Sequence, residues 1–278
     1  MREVFLIFLS LVWVSFATIS DFKKREIPDW VSYSLIAFAL AYRAFVSVYA
    51  GWNFLLFGIF GFGVFFVVGN IMYRIGFGGG DAKLLMALGS ILPFSSVFYE
   101  NIAILGLFLV LLLAVGSVYS LFYSGLLVSV NFGKFKTSFK KEARKYKNML
   151  IVFGGFFIIL AALSFFEPLF FVFSIFLFVC PLLFIYTKSV DSLMIKTIPT
   201  RKLTIGDWLA KDIKIGKKII KPKLTGIDET ELAFLRKHKK SVEVKDGVPF
   251  TISFLLAFLV FVWLWYSFRN LFDYNFWF

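Results

Sequence analysis

Of 278 residues, 60% are hydrophobic, 40 are Phe and only 17% are charged, which excludes an ordinary water-soluble core and indicates an integral membrane protein. The single cysteine, Cys180, lies in an apolar run, so neither a disulfide framework nor a Cys-based zinc site is expected; the lone His238 sits in a basic segment, against a His-ligated metal or a His-dependent triad. The formal net charge of +13 comes without a nucleic-acid-binding motif, so no nucleic-acid partner is expected and the charge is read as membrane topology and contact with anionic lipid.

Residues 4–19 form the first apolar run, closed by Ser20, Asp21 and the basic trio Lys23, Lys24 and Arg25. Taken alone, residues 1–20 resemble a secretory signal behind a thin Met1-Arg2 start. The positive charge follows the run, however, so the positive-inside rule predicts an uncleaved anchor with its N-terminus outside. Pro28 suits the start of the next helix. Residues 31–50 are the second span, and residues 54–73 the third, with Gly58, Gly61, Gly63 and Gly69 as small packing positions. Residues 74–83 return to the cytoplasmic side through a glycine-rich turn. A short fourth span, 84–98, is broken by Pro93, and a long fifth, 102–130, must tilt or protrude.

Residues 133–148 carry seven Lys or Arg against Glu142 alone and are read as a cytoplasmic loop. Spans six and seven, 149–166 and 169–186, form a hairpin about Glu167-Pro168. The eighth is 249–268, followed by an aromatic tail, 274–278, suited to the outer interface. On this map every Lys and Arg except Arg2, Arg43 and Arg269 falls on the inner side. The polar stretch 187–247 reads as a small folded unit. Short strands are expected around 203–205, 208–210 and 213–220, a capping box at Asp228–Glu231 before a short helix, and a last strand at 241–245. The expected fold is thus an all-α integral membrane protein of about eight transmembrane helices with a small α+β cytoplasmic insert. It divides into a membrane core (1–130), a basic loop with a helical hairpin (131–186), the insert (187–248) and a last helix with its tail (249–278).

Two carboxylates stand out. Asp21 closes the first span; Asp81 opens the fourth after Gly76-Phe77-Gly78-Gly79-Gly80, and the map puts both on the cytoplasmic face. Each has an ordinary reading, a helix-end charge beside lysines for Asp21 and an N-cap for Asp81. Together they form the pair that aspartyl proteolysis requires: repulsion keeps one protonated while the other ionises and takes a proton from the attacking water. The glycines let an extended backbone approach. The competing class is a proton- or cation-coupled transporter using Asp21 and Asp81, although no inverted repeat is visible and both acids sit at one membrane boundary. A non-enzymatic scaffold would leave the pair unexplained.

Gly78-Gly79-Gly80-Asp81 is a GxGD motif, and Asp21 to Pro28 fits D-x-x-x-R-x-I-P. In these two motifs the chain up to about residue 130 resembles the type IV prepilin peptidase and preflagellin peptidase family, and the later spans and insert are similar to its archaeal members. The resemblance implies a GxGD membrane aspartic endopeptidase with Asp21 and Asp81 as the dyad and no cofactor or metal. Its substrate would be a pilin- or archaellin-like precursor, cut after a short basic leader. Gly78, Gly79, Gly80, Glu26 and Asp29 are expected near that leader, loop solvation and helix capping being the plainer readings of Glu26 and Asp29. Bacterial members usually carry paired CxxC motifs and N-methyltransferase activity; this chain opens on a membrane span with one cysteine, so peptidase activity alone is expected. The insert, with acids Asp191, Asp207, Asp212, Asp228 and Asp246, is not expected to hold the catalytic centre.

Overall fold

Apolar runs in lipid must satisfy their backbone groups internally, and in this chain they do so as helices. The computed structural model describes residues 2–216 and 218–274, so residues 275–278 of the aromatic tail lie outside the described residues. Helices α1 (Arg2–Lys24), α2 (Asp29–Ala50) and α3 (Asn53–Arg74) follow one another across short turns, α2 beginning directly after Pro28. Then comes α4 (Gly79–Gly89), only 11 residues long. Long α5 (Phe98–Val130) leads to α6 (Phe132–Lys145), α7 (Lys147–Leu163) and α8 (Leu169–Leu193), and α10 (Thr251–Tyr274) ends the described chain after the insert and its α9 (Glu229–His238).

Among the described residues six helices have the length and apolarity to cross a membrane, namely α1, α2, α3, α5, α8 and α10, and the pair α6–α7, bent by 76°, makes a seventh if taken together. The expected count of eight is therefore not reached. The main reason is α4: eleven residues rise about 16 Å, short of a hydrocarbon core of about 30 Å. Its apolar continuation, residues 90–97, turns without regular structure to meet α5. The basic stretch expected as a loop at 133–148 is mostly helix, because Phe132, Phe135 and Phe139 fall on one face of a segment rich in good helix formers. Helix α8 also runs past residue 187, to Leu193, before the chain becomes a sheet.

In the insert, β1 (Ile195–Pro199) and β2 (Trp208–Leu209) both pair antiparallel with β5 (Ser241–Lys245), while β3 (Ile213–Ile215) and β4 (Lys218–Ile220) form a hairpin. The strand expected at 203–205 is absent, and β1, which sequence reading did not single out, takes an edge of the three-stranded sheet. The capping box is present: the Asp228 side chain accepts the Glu231 N–H at 2.8 Å while Glu231 accepts the Asp228 N–H. The Thr230 hydroxyl, the Glu231 N–H and the Lys223 ammonium hold the Asp228 carboxyl well below the usual carboxylate range. Leu203, Leu209, Ile227, Leu235 and Val242 form the unit's own small core.

The membrane core is built around α4, enclosed by α2 and α3. Gly61 of α3 and Gly89 of α4 meet backbone to backbone, and a Cβ on either would overlap the other's carbonyl. Beyond Gly89 the carbonyls of a helix that stops inside the bundle have no water to meet them, and Arg43 of α2 supplies the donors. Fully buried, it donates to the carbonyls of Ser90 (2.8 Å), Ile91 (2.8 Å), Pro93 (2.7 Å) and Phe54 (2.7 Å), and it stacks 4.5 Å over the Phe54 ring. Arg43 therefore lies within the bundle, at the end of α2 that the charge map assigns to the outside.

Replacing it by a side chain of similar length and no donors tests this role. Arg43→Met is expected to lose roughly 3 kcal/mol or more, since each carbonyl left buried without a partner costs about 1–3 kcal/mol. Thermal unfolding of the purified protein in detergent measures the loss, and a wild-type midpoint would refute the role.

Candidate active site

A carboxylate inside an apolar bundle survives only where donors meet it or where it is kept protonated. Asp21 has donors. It lies in the last turn of α1, 8% exposed, and its Oδ2 accepts the Thr251 hydroxyl at 2.7 Å and the Thr251 N–H at 3.3 Å. Four residues on, Arg25 takes a left-handed conformation at φ 58°, and its N–H closes on the Asp21 carbonyl at 2.8 Å. Helices often end this way, but usually on glycine; for a larger residue the conformation costs about 1 kcal/mol or more. The turn directs the Arg25 guanidinium across the bundle end to the Gly247 carbonyl and the Tyr123 hydroxyl, each at 3.2 Å.

The following loop brings in the second carboxylate. Ile27 is buried, and its Cβ lies where a Cβ on Gly80 would come within 3.0 Å. Glycine at position 80 thus allows the start of α4 to seat against the D-x-x-x-R-x-I-P loop. Gly78 is the N-cap of α4 and has no side chain to cap it. Asp81 folds back over it, so that a Cβ at 78 would stand 2.9 Å from Asp81 Oδ2. Gly79 faces the Tyr73 ring at ordinary contact distance. Among the described residues no hydrogen-bond or ion-pair partner is found for the Asp81 carboxyl. Asp81 precedes the apolar part of α4 and belongs to none of the membrane-length helices. Desolvation by the surrounding protein, and then the charge on Asp21, push its carboxyl up to about 8.

Sequence reading placed seven residues in this site. The structure brings Asp21, Asp81, Gly78 and Gly80 together at one end of the bundle, with Gly79 alongside on Tyr73. Asp29 is exposed and pairs with Lys83, tying the first loop to α4 by a contact worth little at a surface. Glu26 is exposed, its carbonyl accepting the Ser20 hydroxyl at 3.0 Å. Sequence reading missed Thr251, Tyr123 and Tyr119. The hydroxyl of Tyr119 on α5 is buried without a hydrogen-bond partner among the described residues, within electrostatic reach of Asp21 and Arg25. A one-residue hydroxyl at the start of the last helix and two tyrosines in an apolar run leave no local signal; only the long-range fold puts them beside an aspartate.

The comparisons with known proteins bear on this region. Residues 8–133, which contain both aspartate motifs and Tyr119, match the model of the type IV leader peptidase family. The preflagellin peptidase of Methanocaldococcus jannaschii is 41% identical over 78 residues, 28% of this chain and 33% of that protein. That of Methanococcus maripaludis is 33% identical over 91 residues, 32% of this chain and 40% of the relative. The prepilin peptidase EppA of Methanothermobacter thermautotrophicus is 32% identical over 95 residues, 33% of this chain and 24% of the relative. The matches thus span well under half the length of these relatives. No solved structure matches the chain.

Carbodiimide coupling consumes protonated carboxyls. With its carboxyl raised to about 8, Asp81 of the purified protein is expected to label near neutral pH ahead of the surface carboxylates, and the labelling to fade as pH rises through that value. Removing the neighbouring charge in Asp21→Asn should shift the fade to lower pH. Peptide mass spectrometry reads both effects, and labelling of Asp81 that is already lost at mildly acidic pH would contradict the assignment.

Proposed function

We propose, since this chain belongs through residues 8–133 to the type IV leader peptidase family, that it is a membrane-embedded aspartic endopeptidase of the GxGD type whose dyad is Asp21 and Asp81. The observation that carries the reading is the convergence of the two motifs. Their aspartates stand at one end of the bundle, joined through Ile27 and Gly80, and the charge on one acts on the other.

Their environments divide the labour. Asp21 accepts two hydrogen bonds at the start of α10, whose dipole favours an anion, and serves as the base. Asp81, without a donor and raised to about 8, holds the proton and serves as the acid. Water gives a proton to Asp21 as its oxygen attacks the scissile carbonyl carbon, and Asp81 gives its proton to the carbonyl oxygen. The tetrahedral intermediate then breaks at the C–N bond, the departing amine taking the proton held on Asp21 while one gem-diol hydroxyl returns its proton to Asp81. No nucleophilic side chain is needed.

The substrates on this reading are preflagellin- or prepilin-like precursors, the activity that the relatives' names carry. Their short basic leaders would be removed at the cytoplasmic face, with Gly78, Gly79 and Gly80 admitting the extended segment and Glu26 at the loop edge. The eight-pass map with the N-terminus outside belongs to the same reading, residues 84–98 counting as the fourth pass. Four of the five aspartates named in the insert have other employment: Asp207 accepts the Thr204 N–H at 2.8 Å, Asp191 pairs with Lys245 at 2.8 Å, Asp246 with Lys196, and Asp228 caps α9, while Asp212 is exposed. Catalysis is therefore assigned to the membrane core. A transporter needs a path of polar groups through the bundle, whereas both acids of this pair lie at one end.

The test is cleavage of purified preflagellin and prepilin by membranes containing the wild type, Asp21→Asn or Asp81→Asn. Each substitution keeps the shape and removes the exchanging proton site, so each should lower turnover at least about a thousandfold at unchanged membrane level. Wild-type activity should fall as pH rises through about 8, where Asp81 loses the proton it must donate. Residual activity near wild type in either variant, or a wild type that leaves both precursors intact, would refute the proposal.

A further inference from the structure

Both aspartates lie in the first third of the chain, yet both donors to Asp21 come from Thr251, outside the stretch that matches the family model. We infer that Thr251 is a positioning residue for the dyad, and that residues 247–251 form a strap that seats it. The inference rests on the dyad reading above.

The need for such a residue follows from where Asp21 sits. The last turn of a helix presents unpaired carbonyls and the negative end of the dipole, so α1 itself offers the Asp21 carboxylate no donor. Helix α10 begins at Thr251, and there both the helix N-terminus and a hydroxyl point at the same carboxylate oxygen. With Oδ2 occupied by both donors, Oδ1 is left for the attacking water. The two bonds also fix the rotation of the carboxylate, which a single donor would leave free.

Thr251 is itself held from several sides. It is fully buried, and its carbonyl receives the Thr18 hydroxyl at 3.4 Å. Phe250 fits against Gly116 of α5, where a Cβ would overlap the ring. The same ring meets Phe77 edge to face at 5.3 Å, four residues before Asp81. At the other end of the strap, the Gly247 carbonyl accepts Arg25, four residues after Asp21. The strap therefore touches both aspartate loops and α5. The titratable groups acting on Asp21 are Arg25 from the loop, Asp81 from α4 and Tyr119 from α5; α10 contributes Thr251.

Thr251→Val removes the hydroxyl at constant shape, Thr251→Ser keeps it, and Thr251→Ala serves should Val fail to insert. Each is reconstituted in full length, quantified in the membrane, and assayed on purified preflagellin beside Asp21→Asn and Asp81→Asn. Val is expected to lower kcat about 10- to 100-fold with little change in KM. Ser should restore kcat, again at unchanged KM. A Val or Ala variant with wild-type kcat overturns the inference, as does one whose loss falls on KM and membrane level instead, or a Ser variant as impaired as Val, which would indicate packing alone. Cleavage by either Asp→Asn variant would instead overturn the dyad reading itself.

Discussion

A helix that ends inside an apolar bundle exposes carbonyls where water cannot reach, and the architecture depends on how this chain meets that demand. Arg43 closes the end of α4 with three carbonyl contacts, adds a fourth to Phe54 in the first turn of α3, and has no carboxylate partner among the described residues. Guanidinium suits the task, since its donors spread in a plane and match several acceptors at once. The consequence extends to the opposite end of α4. With its C-terminal end fixed by Arg43, and its flank fixed by the Gly61–Gly89 crossing, the helix can neither slide nor lengthen. Its first turn, with Asp81, is thereby held at the height where α1 ends with Asp21.

The two carboxylates then differ through surroundings, not through residue type. Asp21 stands before a helix N-terminus and takes two donors, while Asp81 stands beside glycines that offer it none. Glycine here does two things: it admits close approach, as at Gly80 against Ile27, and it withholds the side-chain cap that Ser or Asp at position 78 would provide. An N-cap side chain accepting the first-turn N–H groups would compete for the space the Asp81 carboxyl now occupies. On the proposed reading, the asymmetry between a general acid and a general base follows from these local features.

What was legible in the sequence was what one membrane boundary records. Lys23, Lys24 and Arg25 after the first run, and Gly76 to Asp81 before the fourth, sit at chain positions where charge and glycine are unusual, so the common end of Asp21 and Asp81 could be read without coordinates. The half-length of α4 could not: residues 84–98 are as apolar as a span, and only Pro93 and the buried guanidinium show that the helix stops. Helix α6 was hidden by its charge, because counting lysines does not reveal that Phe132, Phe135 and Phe139 share a face. Thr251 was hidden for a different reason. A contact between residues 230 apart in sequence has no local signature.

That long contact also gives the insert a mechanical place in the membrane core. Its sheet pairs Ile195, two residues after α8, with Lys245, six residues before α10. The pairing therefore sets how far the end of α8 stands from the start of α10, and the Asp246 N–H bonded to the Met194 carbonyl at 2.9 Å extends the closure by one step. The strap carrying Phe250 and Thr251 leaves directly from this closure. On its other side the insert reaches the glycine loop, where Leu224, whose carbonyl accepts the Trp208 indole N–H at 3.0 Å, lies in contact range of Gly76. The insert and its strap thus touch the surroundings of both aspartates through backbone and apolar groups. Its contribution to the site is geometric: it closes the gap between two helices, and the closed gap holds the hydroxyl that Asp21 accepts.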